Sequence, residues 1–478
     1  MTASTENGAV TSATTASSLR KRHTATSLLQ RFDPVPPRSN GEVWGRTGGG
    51  RSWFGALIAS TPVVLAPLAS ISTFITLAAF EGSYASFGAA VAEQGFWVIC
   101  WEYGPQLTLK GAFAVVCWVS FQALLFVYLP GHLQTGQYTP AGHLLTYRIN
   151  GLSAWVLTHV LYFVLCWNDL LDPGFIPRNW SSLIAALNVA GLLISALAFA
   201  KAYVSPTHAD DRKFSGSFIY DYFMGIELNP RIGDAFDLKL FSNGRPGMIL
   251  WTLIDFSNLA YQHQTQGHVE PSLVLVSILQ TLYVVDFFIN ESWYLRTIDI
   301  AHDHYGFYLA WGCFCFLPTT YTIQGQYLGM YPSSSSTGYL AVAFIVGLAG
   351  YVLFRSANYQ KDKVRSSGGR CQIWGRPVEY IEAAYTTSDG KEHKSLLVCS
   401  GWWGWSRHAN YVGDLFLSYS SCALVGSTKL VVWTYAIWMT VLLVHRCMRD
   451  EKRCSVKYGP AWTEYCRRVP WRFVPGIW

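Results

Sequence analysis

The chain has 478 residues, of which 51% are hydrophobic and only 13% charged, and its formal charge is +6. Soluble domains carry about a quarter charged residues, so a string of soluble domains is excluded, and so modest a charge gives no expectation of a nucleic-acid partner. The apolar residues come in long blocks rather than at amphipathic spacing, which leaves one membrane-embedded body as the simpler reading. Eleven cysteines are scattered, with Cys313 and Cys315 the closest pair, so neither a disulfide framework nor a zinc module is expected.

Residues 1–51 are rich in Ser, Thr, Gly and Pro, with Arg20, Lys21, Arg22, Arg31 and Arg38 spread among them. They read as a disordered basic tail, and no cleavable signal peptide is expected ahead of the first apolar stretch near Trp53. A hydrocarbon core of about 30 Å needs roughly 20 apolar helical residues. That template is met near Phe54–Phe80, Gly111–Leu129, Leu152–Leu171, Ser181–Val204, Met248–Tyr261 and Ser272–Ile289. It is met again near Tyr305–Leu328, Tyr339–Phe354, Tyr411–Val425 and Leu430–His445, the last two short enough for a helical hairpin. The expected fold is therefore all-α: a polytopic membrane helix bundle of about ten transmembrane helices over residues 52–478. Basic clusters occur before Phe54, within Ser205–Arg245 (Arg212, Lys213, Arg231, Lys239, Arg245), within Arg355–Arg407 and at the C-terminal end. The loops around Glu81–Glu93, Asp172–Asn179, His263–Glu270 and Tyr331–Thr337 nearly lack them, so both termini are expected in the cytosol.

Chemistry first shows in residues 355–478. Lys361, Lys363 and Arg365 follow one apolar block, the aromatic run Trp402-Trp403-Gly404-Trp405 comes next, and the last block runs into His445-Arg446 and on to Gly459. At 3.6 residues per turn Arg446, Asp450, Arg453 and Lys457 share one face of a continuing helix. A juxtamembrane cationic face is explained equally well by lipid headgroups. The interleaved Asn410, Tyr411, Asp450, Tyr458 and Tyr465 point instead to a nucleotide, which needs stacking surfaces and acceptors besides charge. No GxGxxG fingerprint precedes a helix, so a Rossmann domain is not expected, and a dinucleotide has to bind in a cleft of membrane helices and loops.

Two long runs carry a resemblance: Gly216 to Arg231 (GSFIYDYFMGIELNPR), and Leu443-Val444-His445-Arg446 through Cys454, Lys457, Tyr458 and Gly459. On them the chain resembles the sterol reductases, membrane enzymes of the endoplasmic reticulum that saturate ring or side-chain double bonds with NADPH. Thr139 to Gly142, Ile149 to Gly151 with Trp155, Thr158 and His159, Asn243 to Gly247, Asp299 to His304 and Arg407 to Asp414 are similar to the members that reduce the Δ7 bond of Δ5,7-sterols. The resemblance implies a membrane sterol as substrate, the bilayer as solvent and a setting shared with other sterol-biosynthesis enzymes as complex partners. It also implies NADPH contacts at Lys361, Arg365, Val398, Trp403, Asn410, Tyr411, Asp450, Cys454, Lys457, Tyr458 and Tyr465. Lys361, Arg365 and Lys457 suit phosphates, Asp450 suits an amide or hydroxyl, and Trp403 suits a ring.

The stretch Tyr283 to Tyr305 places Asp286, Glu291, Asp299, His302, Asp303 and His304 between two apolar blocks. Ionisable residues at membrane depth are costly and are functional candidates by default. Capping and pairing at the interface explain any single one of them equally simply, and alternate residues on a helix diverge, so no metal is expected at His302 and His304. Reducing a C=C bond without an activating carbonyl needs a proton as well as a hydride, in a cavity dry enough to protect a cation. Tyr283, Glu291, Asp303 and Asp450 are the candidates for the proton path. Many relatives carry Asp after a Trp-Gly pair where this chain has Cys313 after Trp311-Gly312, which puts the bond position in question. A Δ14 or side-chain Δ24(28) reductase, a membrane methyltransferase and a non-enzymatic sterol-binding scaffold are the rival readings.

Overall fold

The structure is a computed structural model and describes residues 52–478; the basic tail expected over residues 1–51 lies outside the described residues. Wherever apolar residues run without interruption, helices form. Helices α1 (Trp53–Ser60) and α2 (Pro62–Ala79) are one apolar stretch stepped at Thr61, because Pro62 has no N–H to continue the ladder and sits at the first position of the second helix. The loop expected at Glu81–Glu93 is instead helical, as α3 (Tyr84–Gln94) and α4 (Phe96–Tyr103), with the Ser83 hydroxyl capping α3. Then come α5 (Leu109–Tyr128), the hairpin β1 (His132–Tyr138) and β2 (Leu144–Ile149), α6 (Gly151–Trp167), α7 (Phe175–Arg178), α8 (Trp180–Val204) and α9 (Phe218–Met224). Two-residue strands β3 (Arg231–Ile232) and β4 (Phe236–Asp237) lead into α10 (Leu238–Gly244), α11 (Pro246–Gln266) and α12 (Pro271–Ile289).

Short helices α13 (Glu291–Tyr294), α14 (Ile298–Ala301) and α15 (Phe307–Trp311) precede a π-helix over Gly312–Tyr321 and then α16 (Ile323–Met330). The apolar block expected as one span from Tyr305 to Leu328 is thus broken: Pro318 removes a backbone donor inside it, and the wider π turn absorbs the loss. The chain ends with α17 (Thr337–Ser366), the hairpins β5–β6 (Gln372–Ile373, Arg376–Pro377) and β7–β8 (Tyr380–Thr386, Glu392–Val398), and helices α18 (Trp402–Trp405), α19 (Ala409–Ala423), α20 (Leu430–Tyr458) and α21 (Pro460–Arg468). Among the described residues six stretches are long and apolar enough to cross a membrane: Trp53–Ala79, α5, α8, α12, α17 and α20. Helices α6, α11, α15 to α16 and α19 lie where four further spans are expected, and are shorter, more polar or interrupted. The molecule is an all-α membrane helix bundle with small strand pairs on its loops.

One packing event places the site. Gly350 on α17 and Gly413 on α19 face each other so closely that a Cβ on Gly350 would lie 2.7 Å from the Gly413 oxygen, and one on Gly413 would lie 2.5 Å from the Phe354 nitrogen. Small residues let membrane helices approach backbone to backbone. The approach sets the start of α19 beside the end of α17, where Asn410 Nδ2 donates to Asn358 Oδ1 at 3.2 Å.

Candidate functional site

The last turns of α17, the end of β8, helix α18 and the C-terminal half of α20 with α21 line a shared cleft. Helix α20 runs unbroken for 29 residues, about 43 Å at 1.5 Å per residue. It is therefore longer than a hydrocarbon core of about 30 Å, and is far longer than the hairpin arm expected at Leu430–His445. Its projecting end gives Asp450, Arg453, Cys454 and Tyr458 to the cleft; α17 gives Lys361 and Arg365, β8 gives Val398, α18 gives Trp403 and α21 gives Tyr465. The indole of Trp403 is pinned by its Nε1 donating to the Ala357 oxygen at 2.7 Å, and Lys361 Nζ lies 4.0 Å from the centre of the Trp403 ring.

Three residues expected here stand just outside the lining. Lys457 leans over the Tyr385 ring, its Nζ 3.9 Å from the centre, and so braces the β7–β8 hairpin against Tyr458. Asn410 and Tyr411 open α19, and Tyr411 lies in the field of the Arg446 guanidinium. The Tyr411 ring stacks on His408 at 5.0 Å. His408 is buried, and burial pushes its imidazole down to about 4, so it is a neutral stacking partner at neutral pH. Arg407, Arg453, Leu396, Leu397 and Trp462 also line the cleft and were not among the expected contacts. Arg453 was legible as a member of the cationic helix face. Arg407 is spent on structure, donating to Glu451 and to the Val469 and Pro470 oxygens.

A dinucleotide phosphate fits this cleft by two observations. Lys361 and Arg365 enter no ion pair among the described residues, and Arg365 Nε and Asn410 Oδ1 are buried without a hydrogen-bond partner there. Each is the kind of group a bound anion or amide would satisfy.

Behind the cleft the acidic stretch after α12 meets α20. Arg446 pairs with Asp299, Arg449 NH1 with Asp303 Oδ1 at 2.9 Å, and Arg453 donates to His302 Nε2 while also holding Asp450. Asp303 and Asp450 are thus both engaged by arginines. Glu291 stands apart from this meeting. It is fully buried, with Oε1 2.6 Å from Arg245 NH1 and Oε2 accepting from the Gly151 N–H at 2.8 Å. Tyr283 on α12 belongs to an aromatic-walled interior, 5.7 Å from Trp251 and 6.0 Å from Phe354 by ring centres. Tyr321 at the end of the π-helix and Tyr435 on α20 continue that wall, 5.0 Å apart. Cys313, at the position in question, donates to Asn243 Oδ1 at 2.6 Å. Among the described residues no three His, Cys, Asp or Glu side chains gather as metal ligands.

Residues 56–478 match the sequence model of the Ergosterol biosynthesis ERG4/ERG24 family. The chain is 47% identical over 389 residues to a 7-dehydrocholesterol reductase of Xenopus laevis, covering 79% of this chain and 82% of that protein. It is 46% identical to the Danio rerio enzyme of the same name over 389 residues, covering 79% and 81%. A Delta(14)-sterol reductase of Methylotuvimicrobium alcaliphilum is 35% identical over 436 residues, covering 90% of this chain and 96% of that one.

Proposed function

The chain belongs to the ergosterol biosynthesis ERG4/ERG24 family, and from that premise we propose that it reduces the Δ7 double bond of Δ5,7-sterols with NADPH. The observation that carries the cofactor half is the cleft: Lys361, Arg365, Trp403, Asp450, Cys454 and Tyr458 converge on one space from three separate helices. The 47% and 46% identity to the two proteins named 7-dehydrocholesterol reductase above, against 35% to the Delta(14)-sterol reductase, supports the bond position.

NADPH, when bound, supplies the hydride. Lys361 and Arg365 suit its phosphates, the pinned Trp403 ring suits a flat face, and Asn410 Oδ1 suits the donor of a carboxamide. Asn410 bonds Asn358 near the end of α17, and Tyr411 packs on the same apolar cluster as Tyr283, so on this reading the sterol nucleus belongs on the Tyr283 side. The π-helix there is an irregular wall of the kind that functional sites often use. Of the four proton-path candidates, Glu291, Asp303 and Asp450 are held by Arg245, Arg449 and Arg453. Tyr283 alone is outside an ion pair, and its hydroxyl is the donor we favour. The aromatic walls exclude water from the cation that protonation of the ring bond creates.

The test is expression in a sterol-fed host lacking its own Δ7 reductase, with gas chromatography of the sterols, for wild type, Lys361→Ala and Arg446→Ala at matched protein levels. Conversion of Δ5,7- to Δ5-sterols by wild type alone is the expected result. Unchanged Δ5,7-sterols despite stable expression would overturn the Δ7 assignment, and Δ14-unsaturated sterols would be the next substrates.

A further inference from the structure

Lys239, counted above only as one of the basic residues of a polar connection, is fully buried at the start of α10. Its Nζ donates to three backbone oxygens: Leu228 at 3.0 Å, Ile300 at 2.7 Å and Asp303 at 2.5 Å. An ammonium has three N–H donors, so all three are spent on carbonyls and none on a carboxylate. Leu228 belongs to the Gly216–Arg231 run; Ile300 and Asp303 belong to the segment whose side chains meet α20. The two segments also touch directly, through the Tyr305 N–H on the Glu227 oxygen at 2.9 Å and the backbone contact of Gly225 with Gly306. On the far side, Arg446, Arg449 and Arg453 reach Asp299, Asp303 and His302 from the helix that also carries Asp450 and Cys454 into the cleft.

We propose that Lys239 is a positioning residue: it holds Ile300–Asp303 in register with α20 and so sets the separation between the cofactor cleft and the sterol-binding interior. The proposal rests on the sterol-reductase reading given above. The charged groups around the ammonium are Asp237 at the end of β4, Asp299 on α14 and Asp303, with His302 on the same segment. Burial outweighs the three carboxylates and pushes the ammonium down to about 8. A neutral amine keeps two N–H donors, so one of the three carbonyls loses its donor as pH rises through that value. Because burial favours the neutral amine, the group does not lower folding stability as it deprotonates; alignment is lost while the fold is kept.

The experiment uses the full-length protein in nanodiscs, with NADPH and 7-dehydrocholesterol, following initial rates and thermal unfolding from about pH 6.5 to about pH 9.5. Wild-type kcat is expected to fall with an apparent pKa near 8 while the contribution of this group to the unfolding temperature does not fall. Lys239→Met is expected to lower kcat at neutral pH by about 10- to 100-fold, as a displaced reacting geometry does, to leave the KM for NADPH within about threefold, and to lack the alkaline limb. A kcat within about twofold of wild type, or a loss that only tracks folded protein while the limb persists, overturns the proposal. If Lys239→Met does not accumulate, the wild-type profile decides alone, and a flat kcat through pH 8 overturns it. A wild type inactive on this sterol overturns the functional reading itself.

Discussion

Tyr283 and Glu291 stand at the end of one helix and the start of the next, yet their surroundings assign them opposite work. Glu291 answers a buried guanidinium that also donates to Asn150 Oδ1 at 2.8 Å and lies against the Phe126 and Phe288 rings. Breaking a buried ion pair by removing one partner costs about 3–5 kcal/mol. Glu291→Gln is therefore expected to lose folded protein by about that margin, with the activity per folded molecule kept. Tyr283→Phe should do the reverse: normal accumulation and NADPH binding, with kcat lower by about 100- to 10,000-fold, the usual worth of a positioned proton donor. Measuring detergent-resistant protein and single-turnover sterol reduction on both variants separates the two roles; a Tyr283→Phe enzyme of near-normal kcat would return the search to Asp303 and Asp450. Sequence alone ranked these residues alike, because both are polar groups at membrane depth. What distinguishes them is a partner more than 40 positions away in Arg245, and no local spacing carries that.

At the scale of elements, period and apolar length were legible, and closures were not. The face of Arg446, Asp450, Arg453 and Lys457 follows from helical period alone, and α20 does continue through all four. Strand β2 does alternate, with Leu145, Tyr147 and Ile149 buried on one face, and β7 alternates around buried Ala383; the partners β1 and β8 show no such regular pattern, and the pairing of each hairpin is visible only in the fold. The contact of Gly225 with Gly306 is likewise hidden in sequence, although Gly225 sits in a run that stood out. Gly225 has φ 86°, in the region that favours glycine, and a Cβ there would lie 2.3 Å from the Tyr305 carbonyl carbon, a backbone atom that cannot rotate away. Gly225→Ala is thus expected to part the motif from the 300–306 segment. The measurable result is faster proteolysis of membranes carrying the variant, with first cuts between α14 and α15; a wild-type digestion pattern would show that the contact is not needed to close this region.

For the whole molecule, the proposed cofactor and the proposed substrate come from different phases, and this sets how the bundle is expected to sit. A sterol arrives through lipid, whereas a charged dinucleotide arrives through water, so the cleft has to open beyond the bilayer while the Tyr283 interior stays within it. The length of α20 meets both demands with one element: its first turns lie in the apolar bundle and its last reach the cleft. Basic residues concentrate at that same end and are sparse in the Tyr331–Thr337 connection at the other end of α17, from which the positive-inside rule gives the expectation of a cytosolic cleft. A glycosylation acceptor inserted between Tyr331 and Thr337 is therefore expected to be modified in endoplasmic-reticulum membranes, and one appended after Trp478 is expected to stay unmodified. The reverse pattern would put the cleft in the lumen, away from cytosolic NADPH, and would break the link between the arginine face of α20 and the reaction, however well the cleft fits the nucleotide.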